Sequence, residues 1–278
     1  MNNVGFMQGR LVDQIDGKIQ AFPTLQWEEE FEIANQLGIL LMEWTIDDFN
    51  FETNPLMTKN GREKINFLSK KYNLKINSLT ADCVMQNPFW LEKSEKPKQL
   101  KEKFISMVKA CHYSNIKIIV LPVVDNGSIN DLNEELNLRN FLFENKSLFE
   151  KFNIKIAFES DLPPEKLLKF INNFPESCFG INYDIGNSAS LGFDTKQEIE
   201  TYGSRILNVH VKDRIRNGST VPLGDGNVDF ESTFNALKKI NYKGDFILQT
   251  ARAEDNNHSK VLKSYFNLIT ELIRLNLE

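Results

Sequence analysis

Short apolar runs alternate along this chain with longer amphipathic stretches. Several of the runs are rich in β-branched residues and almost continuously apolar, which is typical of parallel strands covered on both faces. The predicted strands are Val4–Met7, Ile39–Trp44, Ile76–Leu79, Ile118–Leu121, Ile154–Phe158, Phe179–Tyr183, Ile206–Val211 and Phe246–Leu248.

The stretches between these runs carry apolar residues at helical spacing, and we expect those stripes to pack in the core. For the first stripe, Thr24 is the predicted N-cap and Gly38 the predicted stop; for a later one, Asp229 is the predicted cap. The stripes are Trp27, Phe31, Ala34 and Leu37; Leu167, Ile171 and Phe174; Phe230, Phe234 and Leu237; and Val261, Tyr265, Leu268 and Leu272.

Eight strands alternating with helices over 278 residues predict an α/β protein, a (β/α)8 TIM barrel. An open doubly wound sheet is the competing architecture, but no GxGxxG follows the first strand, which removes the main reason to prefer it. No low-complexity linker divides the sequence, so the prediction is one domain over residues 1–278.

Charge and cysteine content narrow the class of protein. The chain has 33 Lys and Arg against 38 Asp and Glu, a net charge of -5, which argues against a nucleic-acid partner. The three cysteines are far apart and form no CxxC, as expected of reduced thiols in the cytoplasm. No signal peptide is visible and no apolar run reaches about 18 residues, so we expect no membrane partner.

Polar residues end the predicted strands, and in a TIM barrel the chemistry lies at the carboxyl ends of the strands. Glu159, Asp184, His210 and Gln249 follow or end the last four runs, each about one βα unit after the one before. These four side chains can therefore converge above the barrel axis. Two carboxylates, an imidazole and an amide oxygen suit a divalent ion such as Mn²⁺, Mg²⁺, Co²⁺ or Zn²⁺.

Several motifs resemble the xylose-isomerase-like barrel superfamily. They are Tyr183-Asp184-Ile185-Gly186-Asn187, His210-Val211-Lys212-Asp213-Arg214 and the segment from Pro222 to Phe230. The opening Gly5–Leu11, then Gln20–Pro23 and Glu43-Trp44, is similar to its bacterial sugar-phosphate isomerase/epimerase branch.

The resemblance implies metal ligands at Glu159, Asp184 and His210. The fourth family ligand is usually a glutamate, where this chain has Gln249. An amide offers the metal an oxygen but cannot take a proton at neutral pH, and the lost charge should weaken the metal site.

The implied reaction is proton abstraction next to a carbonyl, through an enediolate, with Glu159 as base. Because Gln249 cannot act as the second base, the pattern favours one-base isomerisation, unless Glu43 or Asp82 supplies the missing acid.

Other residues at strand ends are predicted to bind a small sugar or sugar phosphate: Arg10, Trp44, Asp82, Asn187, Lys212, Arg214 and Arg252. The cations among them favour an anionic substrate, so we expect a sugar phosphate to bind better than the free sugar.

Three alternatives stay open besides this isomerase or epimerase. One is a catalytically degenerate barrel that only binds a sugar phosphate, and another is a dehydratase or a hydroxypyruvate-isomerase-like enzyme of the same superfamily. An endonuclease-IV-like repair enzyme is disfavoured, because its zinc centre needs many histidines and this chain has three. Barrels of this group often dimerise, so a homodimer is one expectation.

Overall fold

The computed structural model describes residues 3–277; residues 1, 2 and 278 of the predicted domain lie outside the described residues. Within them, eight parallel strands close into a barrel, as predicted. The strands are β1 Val4–Met7, β2 Leu41–Thr45, β3 Lys75–Thr80, β4 Ile118–Val123, β5 Lys155–Ser160, β6 Phe179–Asp184, β7 Ile206–Val211 and β10 Asp245–Leu248, and a small hairpin of β8 Asp213–Arg214 and β9 Thr220–Val221 follows β7. Around the barrel the strands follow the order β1-β10-β7-β6-β5-β4-β3-β2.

Helices surround the barrel and cover the outward face of each strand. Their side chains and the strands share one core that includes Phe31, Phe104, Phe158 and Phe234, none more than 1% exposed. The helices are α1 Glu29–Leu37, α2 Lys59–Tyr72, α3 Asp82–Gln86, α4 Pro97–Tyr113, α5 Leu132–Glu144, α6 Lys146–Phe152, α7 Pro164–Ile171, α8 Ile185–Leu191, α9 Thr195–Tyr202, α10 Phe230–Lys239 and α11 His258–Asn276.

Two helix ends follow from their local sequence as predicted. Gly38 ends α1 in the left-handed region, at φ 72°, where a residue without Cβ is favoured. Asp229 caps α10 by accepting a hydrogen bond from the backbone N–H of Ser232.

The structure corrects two details of the helical predictions. Thr24 does not cap α1, which begins after Glu28 without a side-chain cap, and the Thr24 hydroxyl instead accepts from Asn50. In α11, Leu268 is 42% exposed, because the buried face of that helix runs through Leu262 and Ile269 instead.

Register irregularities occur at two places inside the barrel. The pairing of β2 with β3 shifts between Met42 and Glu43, and that of β6 with β7 shifts between Ile181 and Asn182. Such irregularities re-aim side chains and are common beside functional sites. Here each one directly precedes a buried polar residue that faces the barrel axis.

Cys83, Cys111 and Cys178 are buried and free, as expected of reduced thiols. Among the described residues, no helix combines the length and the apolar character needed to cross a bilayer.

Candidate metal and sugar site

The carboxyl ends of β5, β6 and β7 bring Glu159, Asp184 and His210 together. All three are buried, and one ligand atom from each lies within 4.8 Å of the others. The neighbours Phe158, Tyr183 and Val209 alternate with them, because successive side chains of a strand point to opposite faces. The strand period therefore places these polar groups inside the barrel and their apolar neighbours under the helices.

His210 lies between the carboxylate of Glu43 on one side and those of Glu159 and Asp184 on the other. Its Nε2 is 2.7 Å from Oε1 of Glu43, and its Nδ1 is 3.1 Å from Oε2 of Glu159 and 3.9 Å from Oδ2 of Asp184. Burial alone would lower the pKa of His210, but the charge of Glu43 and the bonds to Glu159 and Glu43 outweigh it and raise the pKa to about 10. Since a carboxylate only accepts, Nε2 carries a proton toward Glu43.

A polar layer lies beneath these groups, and we call it the lower layer: Glu43, Ser78, Thr80, Asn182 and Asn208. Glu43 accepts four hydrogen bonds, from Ser78 and Thr80 at 2.6 Å, from Asn208 at 3.0 Å and from His210. Burial by itself would raise the pKa of Glu43, but the charge of His210 and these bonds lower it. Glu43 is thus a fixed anion that orients the imidazole.

Sequence reasoning missed Asn182 as a functional residue and gave Asn208 no role, although a signal was present. Each stands two residues before a predicted ligand, Asp184 or His210, and therefore on the same face of its strand. The Asn182 amide donates to Oε2 of Glu159, and the Asn208 amide donates to Glu43 and to Oδ1 of Asn182. These amides tie the lower layer to the groups above it.

Two amides hold the Glu159 carboxylate in the layer above. Asn182 donates to Oε2 at 3.0 Å and Asn187 donates to Oε1 at 2.8 Å. Burial would raise the pKa of Glu159, but the hydrogen bond and charge of His210, with the charge of Lys212, lower it. Glu159 is therefore held as a carboxylate.

Asp184 and Gln249 share the ammonium group of Lys212. Its Nζ lies 2.8 Å from Oδ2 of Asp184 and donates to Oε1 of Gln249 at 3.0 Å. The other oxygen of Asp184 accepts from the backbone N–H of Asn187, at the start of α8. Burial raises the pKa of Asp184, and Lys212 opposes that rise. Asp184 and Gln249, two of the predicted metal ligands, thus contact the positive charge of Lys212.

The residues present fit a divalent ion. Nδ1 of His210 is buried and faces the carboxylates of Glu159 and Asp184, at 3.1 Å from Oε2 of Glu159 and 3.9 Å from Oδ2 of Asp184. An ion bound there would displace the Nδ1 proton of the imidazolium, and the carboxylate on Nε2 would then complete the arrangement common around metal-bound histidines. Gln249 lies beside this group, and its Oε1 accepts a hydrogen bond from Lys212. Three residues are therefore arranged to bind an ion, whereas at the fourth position Lys212 would compete with the ion for the oxygen of Gln249.

A cavity of about 170 Å³ opens beside this group. Asp82, at the start of α3, lies on the barrel side opposite β7, and its Oδ2 is buried without a hydrogen-bond partner in the described chain. Burial, with the charges of Asp47 and Glu159, raises the pKa of Asp82 well above its ordinary value. The cavity is lined by Gln20, Thr80, Asp82, Met85, Gln86, Pro122, Val124, Asp125, Glu159, Asn187, Lys212, Arg214 and Gln249.

Two predicted site residues on β2 lie away from this cavity. Glu43 is fully buried behind His210, so the expectation that it supplies a proton to the substrate is not supported. Trp44 is also fully buried; it donates to Asn54 and packs on Phe22 and Trp27 outside the barrel. Adjacent strand residues face opposite ways, so Glu43 and Trp44 cannot both face the barrel interior.

Two predicted substrate-binding arginines bind backbone instead. Arg10 is 3% exposed and donates to the carbonyls of Thr250 at 3.0 Å and Ile19 at 2.9 Å. Arg252 donates to the carbonyls of Val12 and Gly9. Neither lines the cavity. Both arginines therefore hold the β1–α1 loop in place.

The segment after β7 is organised by one carboxylate. Asp213 accepts hydrogen bonds from the backbone N–H groups of Arg214, Gly224, Gly226 and Val228. A Cβ at position 226 would overlap the Asp213 side chain, so glycine is required there. The turn at residues 224–226 is thereby fixed to the strand end that carries His210.

A buried cluster at the carboxyl ends of the strands of a closed parallel barrel lies where TIM-barrel enzymes carry their catalytic residues. The family model described as "Xylose isomerase-like TIM barrel" matches residues 26–265. The chain belongs to this family.

Curated relatives cover the chain to different extents. An uncharacterised protein of Methanocaldococcus jannaschii is 27% identical over 146 residues, which is 48% of this chain and 49% of that protein. L-ribulose-5-phosphate 3-epimerase of Salmonella typhi is 24% identical over 249 residues, covering 86% of this chain and 87% of the epimerase.

Among solved structures, the IOLI protein with a bound zinc atom superposes with a TM-score of 0.76 at 15% sequence identity. The superposition covers 99% of each chain. At this identity the likeness shows the shared fold.

Proposed function

We propose that this protein is a metal-dependent isomerase or epimerase of a small sugar, acting by proton abstraction next to a carbonyl. The observation that carries the proposal is the buried cluster of Glu159, Asp184 and His210 beside a cavity at the barrel mouth. Supporting it, a relative covering most of the chain is a sugar-phosphate 3-epimerase, and a fold neighbour was solved with zinc.

Glu159, Asp184 and His210 would hold the ion, with Gln249 as a candidate fourth ligand. When bound, a divalent cation supplies Lewis-acid polarisation of the substrate carbonyl. The amides of Asn182 and Asn187 hold the Glu159 carboxylate, and its lowered pKa keeps it ionised. Glu159 then accepts the proton from the carbon next to the carbonyl, and the substrate becomes an enediolate.

The second proton transfer separates isomerisation from epimerisation. Gln249 cannot exchange a proton, and Glu43 does not line the cavity. Asp82 does line it and carries the raised pKa of an acid that can donate. A one-base path through Glu159 gives isomerisation, whereas a path that also uses Asp82 gives inversion at the carbon.

A panel of ketoses and ketose phosphates, assayed with Mn²⁺, Mg²⁺, Co²⁺ and Zn²⁺ in deuterated water, tests the proposal. We expect metal-dependent turnover with solvent deuterium at the reacting carbon, lost in Glu159→Gln. Inversion that is lost in Asp82→Asn while exchange persists would establish the two-group path. No turnover or exchange with any metal would reject the proposed function.

One observation favours a second candidate, a barrel that binds a sugar without converting it. Lys212 already neutralises Asp184 and contacts Gln249, so the centre has fewer free anionic ligands than a site with a fourth carboxylate. Metal content separates the two candidates. One tightly bound divalent ion, lost in His210→Ala, supports the enzyme, and absence of metal at millimolar supplementation supports the binder.

A further inference from the structure

Gln20 is a buried amide without a partner at the cavity wall. Both its Oε1 and its Nε2 are shielded from solvent and make no hydrogen bond within residues 3–277. The residue lies in the β1–α1 loop and lines the same cavity as Glu159 and Lys212. A buried amide left unpaired costs free energy, so its retention at a cavity wall points to a ligand that pairs it.

The backbone on both sides of Gln20 is fixed. Arg10 donates to the carbonyl of Ile19 at 2.9 Å, and the N–H of Phe22 donates to Asp47 at 2.7 Å. The amide is therefore presented from an anchored segment, which limits its freedom to turn away and find water or another partner. Nearby, Oδ2 of Asp82 is also buried without a hydrogen-bond partner.

The cations of the cavity are already engaged. Among residues 3–277, the Lys and Arg side chains that line the cavity are Lys212 and Arg214. Lys212 contacts Asp184 and Gln249. Arg214 donates through Nε and Nη2 to the carbonyl of Gly218 and through Nη1 to Asn187.

Three carboxyl groups line the same space: Asp82, Asp125 and Glu159. A phosphate ester would thus meet acidic groups and cations that already have partners. The cavity, at about 170 Å³, is also small compared with the roughly 300–1,000 Å³ of typical ligand sites.

We propose that Gln20 and Asp82 form a hydroxyl-binding subsite, and that the preferred substrate is therefore an unphosphorylated ketose. Oε1 of Gln20 accepts from one substrate hydroxyl while Nε2 donates to another, and Asp82 pairs a further hydroxyl. This inference rests on the proposed function and deepens it by naming the substrate class. It reverses the expectation from sequence that a sugar phosphate binds better.

Two matched pairs of probes test the substrate class: L-ribulose with L-ribulose 5-phosphate, and D-fructose with D-fructose 6-phosphate. Binding to the Mn²⁺-loaded protein is measured by calorimetry. We expect at least one free sugar to bind as tightly as its phosphate or more tightly. Phosphates binding about tenfold more tightly in both pairs, or no binding of either free sugar, would overturn the inference.

Gln20→Met tests the subsite, because it keeps the side-chain length and removes the polar atoms. We expect the dissociation constant or KM of the free sugar to rise about five- to tenfold. We expect the melting temperature to stay equal or rise, since an unpaired amide is removed from the ligand-free protein. A lower melting temperature with unchanged sugar binding would show a structural role and overturn the subsite.

Gln86→Met is the matched control. Gln86 lines the same cavity, but its amide accepts from the N–H of Asp48 and donates to Asp47, both at 2.8 Å. Its replacement should lower the melting temperature. The outcomes also separate the subsite from the proposed reaction. If sugar phosphates are turned over and free sugars bind more weakly, only the subsite is rejected. If free sugars bind but are not turned over, only the proposed reaction is rejected.

Discussion

The two polar layers inside the barrel differ in how completely their side chains pair with one another. In the lower layer, both oxygens of Glu43 accept two hydrogen bonds each. At the mouth of the barrel, Oδ2 of Asp82 and both polar atoms of the Gln20 amide have no hydrogen-bond partner within residues 3–277. Apart from Oδ1 of Asn208, the lower layer is thus paired without a ligand, while the mouth keeps donors and acceptors for one. Substitutions in the two layers should therefore have different consequences.

Glu159→Gln should give the largest effect on activity. It removes the proposed base at the mouth while it keeps the shape of the side chain, so we expect kcat to fall by about 10³-fold or more. The unfolding midpoint should change little. Steady-state kinetics and thermal unfolding measure this, with the exposed Glu144→Gln as control. Retention of more than about a tenth of the activity would contradict the assignment of Glu159 as base.

Glu43→Gln should act on metal binding and stability together. The amide cannot accept all four hydrogen bonds, and His210 loses the charge that orients it. We expect metal affinity to fall about 10- to 100-fold and stability to fall by about 3 kcal/mol. Calorimetric titration with Mn²⁺ and urea unfolding measure both. An unchanged metal affinity would refute the role of the lower layer in orienting the imidazole.

Gln249→Glu should strengthen metal binding at the mouth. It restores a carboxylate beside Asp184, so we expect metal affinity to rise about tenfold, or about 1.4 kcal/mol. Lys212→Met should raise it by a similar factor, because it removes the cation that contacts two predicted ligands. Metal titration of both variants provides the measurement. If both bind metal no better than the natural chain, Lys212 does not compete with the ion.

Glu30 is a second buried carboxylate, which is held by backbone N–H groups where Glu43 contacts His210, and changing it should affect activity least. It accepts from the N–H groups of Gly9 and Leu11. Burial raises its pKa to about 7, although these bonds and the charges of Arg252 and Arg10 oppose the rise. Because the folded pKa is raised, the folded chain binds more protons, and the contribution to stability is complete below about pH 4.5 and lost as pH rises through 7.

Glu30→Gln should therefore remove roughly 1 to 3 kcal/mol of pH dependence between about pH 4.5 and 7. Urea unfolding at several pH values, compared with the unsubstituted chain, measures this. A difference between the two chains that does not vary with pH would show that Glu30 keeps an ordinary pKa.

The barrel was predictable because its signals are local and repeated. All eight predicted strands are present, and Val4–Met7 and Ile206–Val211 agree at both ends. Asp184 directly follows one predicted run and His210 lies one residue before the end of another. Both runs must finish at one edge of a parallel barrel, so the meeting of the two residues followed from topology. The apolar stripe of α11 was displaced by one residue, because adjacent apolar residues there allow two similar helical faces.

The other site residues depend on side-chain direction and length, which residue type alone does not determine. Arg10 and Arg252 follow strand ends as predicted, but their long side chains turn back to backbone carbonyls. Trp44 was excluded by strand alternation once Glu43 faced inward. Gln20 lies in a loop without periodic pattern, and only the folded backbone shows that its amide reaches the cavity.

The clamp on the β1–α1 loop has a consequence for engineering. Arg252 holds Val12, Arg10 holds Ile19, and the stretch from Asp13 to Lys18 between these anchors is largely exposed. We expect that stretch to tolerate substitution, since arginine side chains hold both of its ends whatever the sequence between them. Because Arg10 also holds Ile19, libraries that vary the length and sequence of this stretch should leave Gln20, the barrel and the metal-ligand cluster in place.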